Sequence, residues 1–196
     1  MPTASYLDAI GRDVRGLRVG IPTNDYYKFG LPDALAVHDH ARQKLIAHGL
    51  VPVPLHLPRA DEVGDIWEIV MLGDLAAYHD RLGMDPTRYG RHFMERYEAG
   101  KAISACKYVK AVNDARSISR AWQALFEQVD MIALPGNAAG AMPHGITTIE
   151  VDGVAHPTRL VSSPSNRIGN LTGCPALTIP VGESASGIDK IRPDQR

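Results

Sequence analysis

Serine and lysine occur at a spacing that supports nucleophilic chemistry. Ser104 and Lys107 form an S-x-x-K pattern, which on a helix places both side chains on one face. A lysine in that position can take the proton of a serine hydroxyl and so activate it. The Ser-Asp-Asn and Lys-Thr-Gly motifs that accompany this pattern in serine enzymes do not occur in the sequence. We therefore interpret the pair as an ordinary helix face.

Two further nucleophile candidates lack a partner that would activate them. Ser162 and Ser163 are adjacent, but no glycine-rich stretch surrounds them, so they are expected to be loop hydroxyls. Cys174 precedes Pro175 and would act as a nucleophile only beside a positioned histidine. Its expected role is packing.

The histidines do not have the spacing of a metal site. His38 and His40 are two residues apart on a predicted helix, so their side chains point in different directions. His144 and His156 flank a predicted hairpin, but no third ligand is spaced to join them. The sequence predicts no metal and no other cofactor.

Composition narrows the range of partners. The 196 residues include 21 basic and 22 acidic side chains, a net charge of −1. This balance predicts neither a nucleic-acid nor a membrane-surface partner, and no apolar run is long enough to span a bilayer. Cys106 and Cys174 have no metal or redox spacing, which favours reduced thiols and a cytoplasmic location.

Hydrophobic spacing predicts alternating strands and helices. Strands are predicted at residues 17–21, 51–57 and 131–134. Helices are predicted at residues 33–48, 61–82 and 87–97. The clearest helix has an apolar seam at alternating spacings of 4 and 3, over Ala111, Ala115, Ile118, Trp122, Leu125 and Val129. Because residues 51–57 contain two prolines, that strand should lie at a sheet edge.

The C-terminal half adds a hairpin, a polar loop and an apolar run. Asp152-Gly153 predicts a two-residue turn between strands at residues 147–151 and 154–157. Residues 162–170 are polar and predict a loop. Residues 176–181 are apolar and predict a strand, closed by Gly182. The polar residues 183–196 are expected to fray.

Three segments in order resemble motifs of the amidase-signature hydrolases. They are GLRVGIP at residues 16–22, DMIALP at residues 130–135 and NRIGNLTGCPALTIPVG at residues 166–182. The resemblance implies an α/β fold, a mixed sheet flanked by helices. It also implies that residues 1–182 are a partial amidase-signature domain.

The resemblance also implies a mechanism whose reacting groups lie elsewhere. Family members use a serine nucleophile, a second serine on a cis peptide and a buried lysine, with a Gly/Ser-rich loop that supplies oxyanion donors. The lysine and that loop precede the strand that residues 16–22 resemble. No catalytic residue is therefore assigned in this chain. We expect a segment of an amidase that acts on a small amide substrate only in the complete enzyme.

Four residues are candidates for the wall of the substrate cleft. Gly136 and Asn137 follow the strand at residues 131–134, in a segment that resembles the border of the family's acyl pocket. Arg167 could bind a carboxylate or carbonyl by paired hydrogen bonds, although a packing role is the alternative. Asn170 belongs to the Asn-Leu-x-Gly turn, where its alternative role is to bind backbone groups.

Other readings of the chain remain open. A non-catalytic module, either a split-enzyme subunit or a degenerate relative, would bind a partner or small ligand. An unrelated βαβ ligand-binding domain rests only on residues 17–57. Under the amidase interpretation, strands at residues 17–21, 131–134 and 176–181 would leave unpaired edges. That interpretation predicts a complementary N-terminal chain or self-association.

Overall fold

A computed structural model describes residues 6–83, 85–142, 144–161 and 164–183. The strands are β1 (Arg18–Pro22), β2 (Val51–Leu55), β3 (Met131–Ile132), β4 (Thr148–Val151) and β5 (Val154–Pro157). The helices are α1 (Pro32–Ala47), α2 (Val63–Arg81), α3 (Arg91–Lys101), α4 (Ala105–Leu125), α5 (Thr158–Val161) and α6 (Pro164–Thr172). Short 3₁₀ turns occur at Leu7–Ala9, Asp25–Lys28 and Pro86–Arg88. Within these ranges no helix combines the length and hydropathy of a membrane span.

The main sheet is parallel, with the strand order β2-β1-β3. β1 pairs with β2 along its whole length and with β3 at Val19 and Gly20. The two prolines of β2, Pro52 and Pro54, lie on an edge strand, as expected for residues without an N–H to donate. The predicted α/β arrangement of a sheet flanked by helices is confirmed, and the antiparallel pair β4-β5 forms a separate sheet.

An ion pair between Arg18 and Asp130 holds β1 next to the start of β3. The Arg18 Nη2 donates to Asp130 Oδ1 at 2.9 Å, and the Arg18 backbone N–H donates to Asp130 Oδ2 at 2.7 Å. The backbone N–H of Asp130 in turn donates to the Arg18 carbonyl at 2.9 Å. These three bonds bring together residues that are far apart in sequence. They fix the position of Asp130 beside Arg18, and β3 begins at the next residue, Met131.

The seam of α4 lies in the core between sheet and helices. Ala111, Ile118, Trp122 and Leu125 are buried there, and Ile118 has no exposed surface. The predicted seam is therefore confirmed. The Trp122 indole N–H donates to the Pro58 carbonyl at 3.1 Å, which satisfies the polar atom of a buried ring.

The hairpin has the turn that its sequence predicts. Asp152 and Gly153 have φ values of +52° and +78°, the left-handed pair that a two-residue hairpin turn requires. A second, smaller core lies beneath it, formed by Ala138, Ala139, Val151 and Val161.

The prediction of a polar loop at residues 162–170 is wrong for its described part, which belongs to α6. Polar side chains hide a helical spacing there. Ser165, Ile168 and Thr172 are buried, and they recur every three to four residues as one helix face does. The Asn-Leu-Thr-Gly stretch forms the C-terminal end of α6, with Gly173 at φ +70°.

Three other boundaries differ from the prediction. Residues 176–181 form no strand, because no strand in the described part of the chain pairs with them. β3 has two residues instead of four. The helix predicted at residues 87–97 begins later, at Arg91, since Gly90 separates it from the 3₁₀ turn. The predicted frayed tail lies outside the described residues beyond Glu183.

The core position of Ile118 gives the first prediction. Ile118→Ala should lower the free energy of unfolding by about 2–5 kcal/mol, because it removes buried methyl groups and leaves a cavity. Urea unfolding followed by far-ultraviolet circular dichroism measures this loss. The control is Val109→Ala on the same helix, where 55% of the side chain is exposed and the change should be about 0.5 kcal/mol or less. Equal losses would contradict the placement of the seam.

The Arg18–Asp130 pair gives a pH-dependent prediction. The guanidinium lowers the pKa of the Asp130 carboxyl below its ordinary value of 3.8. A carboxyl with a depressed pKa in the folded state stabilises the fold above its unfolded pKa, and this contribution is lost as the pH falls through the folded value. Asp130→Asn should therefore lower the melting temperature at neutral pH, with a difference that shrinks below about pH 4. Asp25→Asn, in an exposed local pair with Lys28, is the control. A pH-independent difference would contradict the ion-pair account.

Candidate functional site

Helices α2, α4 and α6 border an open groove of about 910 Å³, called here the α2–α4–α6 groove. Its apolar lining consists of Trp67, Val70, Met71, Leu75, Val112, Ala115 and Leu171. Its polar lining consists of Asp74, Tyr78, His79, Arg116, Ser119, Arg120 and Asn170. An apolar concavity with a few polar groups is the usual form of a small-molecule site. The groove is therefore the candidate site.

A glycine sets the spacing between the two long helices. A Cβ added at Gly73 of α2 would lie 2.7 Å from Cδ2 of Tyr108 on α4, so a larger residue would push the helices apart. The Tyr108 hydroxyl then donates to Asp74 at 2.5 Å, which raises the pKa of the tyrosine. The close packing of α2 on α4 and this hydrogen bond together fix the position of Asp74 in the groove lining.

Hydrogen bonds hold the end of α6 against α4. The Ser119 hydroxyl donates to the Thr172 carbonyl at 2.7 Å. The Thr172 hydroxyl donates to the Ile168 carbonyl at 2.8 Å and accepts from the Cys174 backbone N–H at 3.3 Å. The last turn of α6 is thereby fixed, and it presents Asn170 to the groove.

Two arginines give the groove a positive side. Arg116 and Arg120 are one turn apart on α4 and both line the groove. Arg116 donates to the neutral side chain of Asn113 at 3.3 Å. Within the described ranges, neither arginine forms an ion pair with a carboxylate. A planar guanidinium group that is not already paired with a carboxylate can donate hydrogen bonds to a carbonyl or carboxylate ligand.

Arg167, a predicted cleft residue, lies beneath the groove wall. The residue is 7% exposed. Its Nη2 donates to the Arg159 carbonyl at 2.5 Å, and its Cζ lies 5.5 Å from the centre of the Trp67 ring. Trp67 itself lines the groove. In this structure Arg167 therefore supports the wall of the groove.

The other predicted cleft residues fall in two places. Asn170 is exposed in the groove, and its side chain forms no hydrogen bond with another described residue. Gly136 and Asn137 lie in the loop after β3, where a Cβ added at Gly136 would be 3.6 Å from Thr178. Asn137 is exposed there. The assignment of these residues to a substrate cleft stays a prediction.

The candidate nucleophiles and metal ligands that the structure describes make contacts typical of structural residues. Ser104 is the N-cap of α4 and its hydroxyl accepts from the Lys107 backbone N–H at 3.2 Å. Cys174 is a free thiol that packs against the main core. The His156 ring stacks edge-on against Phe29 with centroids 4.7 Å apart. Ser162 and Ser163 lie outside the described residues. Within the described ranges no three potential metal ligands come together.

Sequence reasoning missed most of the groove. Trp67, Arg116 and Arg120 were not singled out, because the groove depends on contacts between helices that are distant in sequence. One signal was available. Arg116 and Arg120 lie beside the apolar seam of α4 and repeat at a spacing of 4, which places them on a single strip of the helix surface.

Comparison with known proteins gives a consistent result. A sequence profile described as Amidase matches residues 2–188. The chain is 27% identical to an amidase of Pseudomonas putida, over 95% of this chain and 41% of that protein. It is 28% identical to a 2-amino-5-chloromuconic acid deaminase of Comamonas testosteroni, over 88% of this chain and 38% of that protein. The chain thus spans less than half the length of these relatives.

The fold is also similar to that of a solved structure. A 6-aminohexanoate cyclic dimer hydrolase superimposes with a TM-score of 0.74 and 20% sequence identity. The match covers 95% of this chain and 43% of that one. At this identity the comparison establishes the similarity of fold.

The buried position of Arg167 leads to a prediction about stability. Arg167→Gln should lower the free energy of unfolding by about 2 kcal/mol, because it removes a charged hydrogen bond and the contact with Trp67. Urea unfolding measures the loss. Arg159→Gln is the control, since it breaks only a partly exposed ion pair with Glu68, and about 1 kcal/mol or less is expected. If both variants have the same small effect, Arg167 does not support the groove wall.

Proposed function

This chain belongs to the amidase family, and we propose that it forms part of an enzyme that hydrolyses amide C–N bonds. The profile match carries the proposal, because it extends over residues 2–188 and so includes nearly the whole chain. The similarity of fold to a larger hydrolase supports it.

We propose that the reacting groups are supplied by structure beyond this segment. Attack on an amide carbonyl requires an activated nucleophile, and a serine hydroxyl is weak until a base accepts its proton. Within the described ranges, no serine hydroxyl forms a hydrogen bond with a lysine or histidine side chain. The hydroxyl of Ser104 is used as a helix cap and that of Ser119 binds a backbone carbonyl.

We assign the α2–α4–α6 groove to one wall of the substrate cleft. Asn170 belongs to the Asn-Leu-Thr-Gly stretch that relates the chain to its family, and it lines this groove. The apolar surface of Trp67 suits the non-reacting part of a small amide. Arg116 and Arg120 would bind carbonyl or carboxylate oxygens of the same substrate.

We propose that a complementary portion of an amidase, in the same polypeptide or a second one, completes the fold. The described sheet has three strands with β2 and β3 at its edges. In the chain segment after α6, Leu177 is 88% exposed and Ile179 is 57% exposed. Apolar surface and unpaired edges of this kind usually mark an interface.

The second candidate is a non-catalytic module that binds a partner or a small ligand. The structural uses of Ser104 and Ser119 favour it as much as they favour an incomplete enzyme. The two candidates differ in what the chain does inside a complete amidase. A non-catalytic module would fold as part of the complete protein, but that protein would not hydrolyse amides.

We also place the protein in the cytoplasm. Both cysteines, Cys106 and Cys174, are unbonded thiols. Thiols in this state are typical of a reducing compartment.

The proposal predicts different activities for the isolated chain and for a chimaera. The chimaera is the Pseudomonas putida amidase with its matching segment replaced by residues 2–188 of this chain. The isolated chain should release no ammonia from a panel of simple amides, because it lacks an activated nucleophile. The chimaera should hydrolyse them. Arg116→Met in the chimaera should lower kcat/KM by about tenfold, through loss of the oxygen contact.

Arg88→Met is the matched control for the groove variant. Arg88 is exposed on the 3₁₀ turn before α3 and should leave kcat/KM unchanged. A folded but inactive chimaera would favour the non-catalytic module. Turnover by the isolated chain that is lost in one of its serine-to-alanine variants would refute the claim that the reacting groups lie elsewhere.

A further inference from the structure

One histidine of the α2–α4–α6 groove is held in place by aromatic rings near the start of α3. His79 lies on α2 and lines the groove. The Tyr89 and Phe93 rings stack on each other with centroids 4.5 Å apart. Both rings meet the His79 ring edge-on, with centroids 5.4 Å and 4.8 Å from it. Because edge-on contacts are favourable between aromatic rings, they restrict how the imidazole turns.

A hydrogen bond gives the two nitrogens of this imidazole different roles. The His79 Nδ1 lies 3.1 Å from the Tyr89 hydroxyl. Within the described ranges this hydroxyl has no other acceptor, so it donates and Nδ1 accepts. A neutral imidazole that accepts at Nδ1 carries its hydrogen on Nε2. In the part of the chain that the structure describes, Nε2 has no hydrogen-bond partner, so it remains a donor on a residue of the groove lining.

Contacts along α4 show that the groove is elongated. One end lies beside Tyr108, whose hydroxyl donates to Asp74 of the groove lining. The other end lies beside Ser119, whose hydroxyl donates to the Thr172 carbonyl at the end of α6. Asn170 lines the groove there. Tyr108 and Ser119 are eleven residues apart on one helix, which corresponds to about 16 Å along its axis.

His79 and Asn170 belong to opposite ends of this groove. On α2, Trp67 lies beside α6, because the Arg167 Cζ is 5.5 Å from the centre of its ring. Asp74 lies beside the start of α4, and His79 follows it by five residues. From Trp67 to His79 the helix extends by about 18 Å. A ligand that contacts both the Asn170 end and the His79 end is therefore an extended molecule.

The charges of the lining also differ between the two ends. The Asp74 carboxylate lines the groove near the His79 end. Arg116 and Arg120 lie on the part of α4 that includes Ser119. A ligand carboxylate beside Asp74 would be repelled by it, whereas a neutral carbonyl oxygen accepts a hydrogen bond from Nε2–H without that repulsion. The His79 end thus suits a neutral carbonyl.

We propose that His79 determines substrate specificity, by donating from Nε2–H to a neutral carbonyl at the distal end of an extended amide substrate. The inference rests on the proposed function, which assigns this groove to the substrate cleft. Tyr89 and Phe93 are positioning residues, because they hold the imidazole and lie behind the described groove lining. A site built to donate to an oxygen discriminates against analogues that lack the oxygen.

The chimaera defined above tests this contact by its choice of substrate. The probes are N-acetyl-ω-aminoalkanamides of increasing chain length, whose acetyl group supplies the distal carbonyl, and alkanamides of equal length without it. His79→Phe keeps an aromatic ring against Tyr89 and Phe93 but removes the donor. It should lower kcat/KM for the long acetylated amides by about tenfold and leave that for the alkanamides unchanged.

Two further variants provide the control and test the positioning. His92→Phe makes the same change on α3, where the side chain is 83% exposed, and it should leave kcat/KM unchanged for both series. Tyr89→Phe removes only the hydroxyl that fixes Nδ1. It should lower kcat/KM for the long acetylated amides by about threefold, because the imidazole keeps its ring contacts and loses its fixed tautomer.

Proton–nitrogen NMR of the imidazole tests the same contact in the isolated chain. The neutral His79 ring should carry its hydrogen on Nε2, and Tyr89→Phe should give a mixture of the two tautomers. A long N-acetyl-ω-aminoalkanamide should shift the Nε2 resonance, and the alkanamide of equal length should not. A change that only affected packing would not alter the tautomer.

The outcomes separate this inference from the proposed function. An active chimaera in which His79→Phe affects both substrate series equally, or neither, would refute the role of His79 alone. If the chimaera is inactive, the NMR titration decides. A shift with only the acetylated amide would then support the contact and remove the proposed function. The absence of a shift there, or a hydrogen on Nδ1 in the wild-type chain, would refute the proposal.

Discussion

Backbone hydrogen bonding decides how much of this chain becomes sheet. β1 has a partner on each side and is continuous over five residues. β2 pairs with β1 over all five of its residues, whereas β3 pairs with β1 only at Met131 and Ile132 and is two residues long. Among the residues that the structure describes, none pairs through its backbone with residues 176–181, which form no strand despite a sequence typical of one.

The long helices α2 and α4 depend less on outside structure, since a helix of about 20 residues satisfies most of its own backbone hydrogen bonds. α4 joins the layers, with Ile118 and Trp122 in the core and Ser119 bonded to the end of α6. The ion pair between Arg18 and Asp130 connects the chain just after α4 to β1. The result is a set of packed helices beside a three-stranded sheet, in which β2 and β3 are the edges among the described residues. The groove lies among these helices.

Local patterns were sufficient to predict much of the fold. The α4 seam, the βαβ unit and the Asp152-Gly153 turn each depend on the spacing or conformation of nearby residues. α6 was missed because its buried residues include Ser165, Arg167 and Thr172, whose polar side chains predict a loop. The groove was predicted only in part. Asn170 was found from the family motif, but the positions of Trp67 and Arg116 depend on how α2 packs on α4, and no local pattern records that contact.

The central claim is that structure beyond this segment completes the fold. Scanning calorimetry of the isolated chain, at a concentration where sedimentation shows a monomer, tests it most directly. A fully packed domain unfolds with about 0.7 kcal/mol per residue near 60 °C. The account predicts a broad transition with an enthalpy per residue well below that value, because part of the chain lacks its packing partners. A monomer that unfolds in one sharp transition with the full enthalpy would contradict it.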